Sequence, residues 1–238
     1  MAPRRRRLVR LLVAITVTIL LVAGALTYSP LFRIRHVRVE GNVTLTSADI
    51  RSLAGIDPSA NVAHADLATI AGRLTANPWI AAAEVHRALP DTLVLVVSER
   101  RPIGVITAMG ATSILATDGT ALPVADGVGA DLPSVRADLG ALGDAQRKAA
   151  AALLTALDST VLRDVTEIVV GQDGGMTLTL KSGATVDAGT AGDEAVKAQA
   201  LHAVLRWASN GGLRLTSIDI SAPSAPSATL ADGSTLTP

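Results

Sequence analysis

The sequence predicts an α+β protein: an N-terminal transmembrane helix, then a β-α-α-β-β domain, then a second mixed, mainly antiparallel β domain. Three observations predict it. Residues 11–32 carry no charge and follow a cluster of arginines. Between residues 34 and 101 the apolar spacing alternates between period 2 and period 3.6 in the order strand, helix, helix, strand, strand. Beyond residue 102, short apolar runs separated by glycine-rich turns dominate, with two helical stretches among them.

The elements follow in order. Residues 1–10 hold Arg4, Arg5, Arg6, Arg7 and Arg10 and no acid, which predicts a cytoplasmic basic tail by the positive-inside rule. The 22 uncharged residues that follow would form a helix of roughly 33 Å, enough for a hydrocarbon core of about 30 Å. Thr16 and Thr18 can bond back to helix carbonyls. Tyr28 suits an interfacial position, and Pro30 ends the helix. A cleaved signal peptide, with Ala23-Gly24-Ala25 as its processing site, is the competing reading. In both readings the rest of the chain crosses the membrane. Arg33, Arg35 and Arg38 follow the span and weaken its charge asymmetry.

In the first exported domain, residues 34–101, Val37 and Val39 alternate with Arg38 and Glu40, giving a strand with one apolar face. Gly41-Asn42 turns the chain. Thr46 and Asp49 have capping-box spacing, Ile50, Leu53 and Ala54 form a helical stripe, and Gly55 suits the helix end. Leu67, Ile70, Ala71 and Leu74 mark a second helix, stopped by Asn77-Pro78. A strand runs from Trp79 to about Arg87, and residues 89–92 turn. Residues 93–97 are apolar without a break, as expected of a central strand covered on both faces.

In the second domain, residues 102–221, two β segments (103–109 and 111–116) flank Gly110. Residues 124–143 are turn-rich and acidic. Residues 144–158 read as a helix with Leu153, Leu154 and Leu157 inward. Strands follow at 165–170, 176–180 and 184–187, then a helix over 193–209 with Leu201, Val204 and Leu205 inward, then alternating β at 215–220. The C-terminal tail, residues 222–238, repeats Ala-Pro-Ser and reads as linker or disorder, with residues 227–230 as a last strand candidate at the edge.

Composition excludes several chemistries. The chain has no cysteine, so no disulfide framework and no thiolate site exist. Lys+Arg and Asp+Glu each number 21, but the signs are segregated. Residues 34–101 hold seven basic and seven acidic residues, and residues 102–238 hold eight basic and fourteen acidic. An acidic outer part argues against nucleic acid as a partner. His36, His64, His86 and His202 are scattered without ligand spacing, and no nucleophile elbow, Walker loop or dinucleotide fingerprint occurs. No catalytic residue, metal ligand or cofactor site is predicted, and the protein reads as a non-enzyme.

Several joints carry a resemblance: Val37-Arg38-Val39-Glu40-Gly41-Asn42, Ala54-Gly55-Ile56, Asn77-Pro78-Trp79-Ile80, Arg87-Ala88-Leu89-Pro90-Asp91-Thr92 and Ser98-Glu99-Arg100-Arg101-Pro102. In this order, after one N-terminal span, they resemble the POTRA domain of the FtsQ/DivIB family of bacterial cell-division proteins. Asp118-Gly119, residues 176–183, Lys197 with residues 201–205, and residues 218–221 are similar to that family's second domain.

The resemblance implies a single-pass cell-membrane scaffold of the division septum, with its C-terminus extracytoplasmic. It would bind FtsB/DivIC-like and FtsL-like partners among other divisome components, with the lipid bilayer as its anchor. In the family the last strands of the second domain bind the FtsB/DivIC partner. The aligned positions here are Ser217, Ile218, Asp219, Ile220 and Ser221, then Ala228, Thr229, Leu230 and Ala231. Backbone pairing at a sheet edge is the implied mode, because the tail lacks aromatic anchors. Thr229→Pro is then expected to weaken partner binding without unfolding the domain. The alternatives are a POTRA-containing transport or outer-membrane assembly accessory, or an exported hydrolase. The first would need further POTRA units or barrel strands, and the second a catalytic set.

Overall fold

The computed structural model describes residues 3–108 and 110–237, and their side chains from residue 10 onward except at positions 23 and 26. Met1, Ala2 and the side chains of Arg4 to Arg7 in the basic tail, Met109 at the end of an expected strand, and Pro238 lie outside the described residues. The chain divides into two compact units, Met1–Glu99 and Arg100–Pro238.

In the first unit, α1 (Pro3–Leu26) is a 24-residue helix. Thr16 Oγ1 donates to the Leu12 carbonyl at 3.0 Å and Thr18 Oγ1 to the Ala14 carbonyl at 2.9 Å. Among the described residues, no helix is long and apolar enough to cross a membrane. The helix expected over residues 11–32 ends at Leu26, and Pro30–Phe32 form a separate 3-10 turn, so the uncharged part of α1 is residues 11–26.

Next come β1 (His36–Glu40), α2 (Ser47–Ala54), α3 (Leu67–Thr75), β2 (Ile80–Ala88) and β3 (Thr92–Glu99). The capping box forms: Thr46 Oγ1 accepts the Asp49 N–H, and Asp49 Oδ2 accepts the Thr46 N–H, both at 3.1 Å. Gly55 closes α2 in the left-handed region, at φ +55°. Asp66 caps α3 by accepting the Thr69 N–H. Strand β3 lies centrally, parallel to β1 and antiparallel to β2.

The apolar stripes of α2 and α3 meet one face of this sheet. Ile50, Leu74, Leu93 and Leu95 are wholly buried there, each worth about 1.5–3 kcal/mol on burial. The expectation that residues 93–97 are covered on both faces does not hold. Leu93, Leu95 and Val97 are buried, but Val94 and Val96 are only half-buried. Both helices of this domain pack on the face that holds Leu93, Leu95 and Val97.

Two residues lock the β1 turn. Gly41 has φ +83°, and a Cβ there would sit 2.2 Å from the Val97 carbonyl oxygen. The Glu99 carboxylate accepts three successive backbone N–H groups, from Val43, Thr44 and Leu45, at 3.0, 2.7 and 3.1 Å.

The second unit contains β4 (Pro102–Ala108), β5 (Ala111–Ala116), β6 (Ala121–Leu122), β7 (Ser134–Ala137), α4 (Asp144–Ala156), α5 (Ser159–Asp164), β8 (Val165–Val170), β9 (Met176–Leu180) and β10 (Thr185–Gly189). They are followed by α6 (Glu194–Asn210), β11 (Leu215–Asp219), β12 (Ser227–Leu230) and β13 (Thr235–Leu236). One ten-stranded sheet runs β13-β12-β11-β10-β9-β8-β7-β4-β5-β6. Three neighbouring pairs are parallel (β4/β7, β7/β8 and β10/β11) and the rest antiparallel, so the sheet is mixed and mainly antiparallel. Strands β9 and β10 alternate buried and exposed residues. The buried set packs with Leu153, Leu154, Leu201 and Val204 of α4 and α6.

Three expectations change in this unit. Residues 124–143, read as turns, supply β7 in the middle of the sheet, where Val135 is wholly buried. The helix expected over 144–158 ends at Ala156. Asp158 then accepts the Thr160 and Val161 N–H groups at 2.8 and 3.0 Å to start α5. The tail is not a structureless linker, because it forms β12 and β13. At the β5–β6 turn, Gly119 has φ +82° and lies against α4, where a Cβ would meet Lys148 Cγ at 2.6 Å. The Asp118 carboxylate accepts from Arg100 Nε at 2.7 Å and from the Thr120 N–H at 2.9 Å.

Candidate partner-binding edge

The C-terminal end of the ten-stranded sheet is assembled from four strands. β10 pairs in parallel with β11, with Thr185 opposite Ser217, Val186 opposite Ile218 and Asp187 opposite Asp219. β11 pairs antiparallel with β12, with Ser217 opposite Thr229 and Ile218 opposite Ala228. β12 pairs with β13, with Ala228 opposite Leu236 and Thr229 opposite Thr235. The β12–β13 hairpin turns at Asp232-Gly233, with Gly233 at φ +84°. The Asp232 carboxylate accepts from the Ser234 hydroxyl and N–H, and these bonds hold it below its ordinary pKa.

The expected site residues therefore sit inside the sheet rather than on its rim. Ser217, Ile218 and Asp219 lie in β11 with strands on both sides. Ile220 is wholly buried, and its N–H donates to the Asp187 carbonyl at 2.8 Å. Ser221 donates its N–H and hydroxyl to Asp219 Oδ1 at 2.9 and 2.7 Å. Ala228 is buried, Thr229 and Leu230 are half-buried, and exposed Ala231 donates its N–H to the Arg214 carbonyl at 2.9 Å. The structure brings all nine together as neighbouring strands, but the rim is β13.

The direction of the backbone groups follows from the ladder. The Leu230 N–H donates to the Ser234 carbonyl at 2.9 Å, which makes that pair hydrogen-bonded. In an antiparallel ladder such pairs alternate with non-bonded ones. Thr229 and Thr235 are then a non-bonded pair, consistent with their hydroxyls lying 3.4 Å apart. The N–H and C=O of Thr229 point inward to β11, where its carbonyl accepts the Thr216 hydroxyl at 3.1 Å. Those of Thr235 point outward, away from the sheet.

Thr229→Pro is therefore not a clean edge mutation, since it would break the internal ladder. Thr235 and Leu236 were not anticipated as edge residues. The Asp-Gly pair between Ser-Ala-Thr-Leu and Thr-Leu is the hairpin signal that marks them.

Beside the start of β11 lies a groove of about 640 Å³ lined by Lys181, Leu205, Leu213, Arg214, Thr216 and Ala231, among others. Elsewhere, among the described residues, no three His, Cys, Asp or Glu side chains are grouped to hold a metal. His64 stacks on Tyr28, His86 lies 3.3 Å from Glu84, and His202 pairs with Asp158.

Two family models match the chain. The FtsQ-type POTRA domain covers residues 32–100, and the C-terminal domain of the cell-division protein FtsQ/DivIB covers residues 105–221. Strands β12 and β13 lie beyond the second match. The cell-division protein FtsQ of Syntrophotalea carbinolica is 36% identical over 85 residues, 35% of this chain and 30% of that protein. FtsQ of Mycobacteroides abscessus is 30% identical over 199 residues, 82% of this chain and 63% of that protein. The chain thus spans less than two thirds of the length of these two relatives. Among solved structures, the major extracytoplasmic domain of DivIB from Geobacillus stearothermophilus, in its trans isomer, is similar at a TM-score of 0.37 and 19% identity, over 47% of this chain and 93% of that one. With an FtsQ-type POTRA match, an FtsQ/DivIB C-terminal match in sequence order and relatives named FtsQ, the chain belongs to the FtsQ/DivIB family of bacterial cell-division proteins.

Proposed function

We propose that this protein is a single-pass scaffold of the divisome that captures an FtsB/DivIC-like chain, itself paired with an FtsL-like chain, by strand addition at β13. Helix α1 crosses the cell membrane with the arginine-rich N-terminus in the cytoplasm and both folded units outside. The uncharged run that starts within it, residues 11–32, follows directly on the arginine cluster, as a span with a cytoplasmic N-terminus would. Its apolar side chains point to solvent all round, as on a helix meant for lipid. The scaffold acts by recruitment at the septum and performs no chemistry of its own.

One observation carries the partner site: the sheet ends in a two-residue strand whose Thr235 backbone groups face outward beside exposed Leu236. A strand from a partner would take up those groups and extend the sheet. Capture of the FtsB/DivIC-like partner by the full chain tests this. Thr235→Pro removes the outward donor and leaves the internal ladder intact, so affinity should fall about tenfold with unchanged thermal unfolding. Undiminished capture by Thr235→Pro would sink the assignment of β13 as the docking strand. Retention of the chain in the bilayer under alkaline wash tests the span.

A further inference from the structure

The first unit has a basic recess that the division-partner reading does not use. Arg35, His36, Arg38 and Arg51, with Val37 and Thr92, line a cavity of about 600 Å³ at the free edge of β1. The three arginines are exposed, and no carboxylate lines the recess. Among the described residues no ion pair involves them. Arg51 Nε donates to the Val37 carbonyl at 3.1 Å, which holds its guanidinium over the edge strand. Of the acids in the adjoining segments, Asp91 accepts the Thr92 hydroxyl at 3.0 Å and Asp49 accepts from Thr46, while Glu40 shares the exposed face of β1 with Arg38 but does not line the recess. Three arginines lining one recess that no carboxylate lines suit a phosphate.

Topology places this recess at the end of the unit where α1 enters. β1 and β3 are parallel and start together, with His36 opposite Thr92. The β2–β3 turn, which holds Leu89, is therefore at that same end. The Asp91 carbonyl accepts the Arg35 and His36 N–H groups at 2.9 and 3.2 Å. The link from α1 is fastened to the domain. Asn61 Nδ2 donates to the Thr27 carbonyl at 2.7 Å, the Val62 N–H donates to the Phe32 carbonyl at 2.7 Å, and Tyr28 stacks on His64. Around this end Tyr28, Leu31 and Leu89 are 74%, 56% and 63% exposed. Exposed large apolar side chains beside unpaired arginines, next to a membrane entry point, form an interfacial surface.

We propose that the α1-proximal end of the first unit rests on the bilayer, with Arg35, Arg38 and Arg51 receiving the phosphates of anionic phospholipids and Tyr28, Leu31 and Leu89 entering the headgroup layer. This rests on the reading of α1 as a span. It also accounts for arginines on the outer side of that span, where they oppose the positive-inside bias.

The chain has no cysteine, so Leu89→Cys gives a single labelling site. The full chain carrying a nitroxide there is reconstituted in bilayers of phosphatidylcholine alone or mixed with phosphatidylglycerol, and collisional access to water-borne and lipid-borne relaxants is read. The label should move from water into the interface only when phosphatidylglycerol is present. Arg35→Gln with Arg38→Gln touches no hydrogen-bonded side chain and should lower the docked-to-free ratio roughly 30-fold. A label equally wet in both bilayers, or a double variant that docks as the parent does, overturns the inference while leaving the span intact. Release of the chain under alkaline wash overturns the span and the inference with it.

Discussion

Replacing Gly41 by alanine probes the joint on which the β1–β3 pairing depends. At φ +83° a residue with a Cβ carries about 1–2 kcal/mol of left-handed strain. The Cβ would also stand 2.2 Å from the Val97 carbonyl oxygen, a backbone atom of the central strand. That is roughly 1 Å inside van der Waals contact, so β1 must part from β3 at Glu40, opposite Val96. Losing a ladder bond and its packing adds about 1–3 kcal/mol. The total is about 2–5 kcal/mol, or a fall of roughly 10–30 °C in the melting temperature of a domain this size.

Gly55→Ala is the matched control. It is also left-handed, at φ +55°, but the nearest atom to its Cβ is the flexible Arg73 Nη1 at 3.3 Å. It should cost only the strain, about 1 kcal/mol. The assay is Trp79 fluorescence during thermal unfolding in a Trp207→Phe background, because Trp79 is buried in the first unit. A Gly41→Ala protein that melts within about 3 °C of Gly55→Ala would refute the contact argument.

The remaining predictions concern single interactions. Glu99→Ala leaves the N–H groups of Val43, Thr44 and Leu45 without their acceptor and should destabilise the first unit by about 2–4 kcal/mol; Glu99→Gln should recover part of this in the same melt. Thr229→Pro should lower the stability of the second unit by about 2–4 kcal/mol, read by Trp207 fluorescence, because its donor faces β11. The Asp158 carboxyl is held below its ordinary value of 3.8 by the Val161 N–H, and further by the His202 side chain and the Thr160 N–H. A depressed carboxylate contributes stability that is complete above its unfolded pKa and is lost as pH falls through the folded one. The second unit should therefore weaken below about pH 4, and Asp158→Asn should flatten that acid limb in a pH series of melts.

Local chemistry made much of the first unit legible. The Thr46–Asp49 capping box, the Asp66 cap and the Gly55 stop are signals within a few residues of one another, and α2 and α3 lie where those signals put them. Period-2 alternation in β1 and β9 likewise needs no distant partner to be read. What escaped was structure defined by its neighbours. The four residues of β7 carry little strand signal, and β7 exists because β4 and β8 bind it from both sides. α5 is too short for an apolar stripe and begins only because Asp158 caps it.

The candidate site divides along the same line. By itself the sequence determined that β segments lie at 215–220 and 227–230 and that the chain resembles a family of division proteins. Only the tertiary structure decided which strand is the rim. An edge is a property of the whole hydrogen-bond ladder: two further residues, Thr235 and Leu236, fold back over β12 and take its free groups, turning the expected docking strand into an interior one. The arginine recess was decided in the same way. Arg35, Arg38 and Arg51 are ordinary surface charges in the sequence, and only the parallel start of β1 and β3, with α2 laid beside them, collects them at the end where α1 enters.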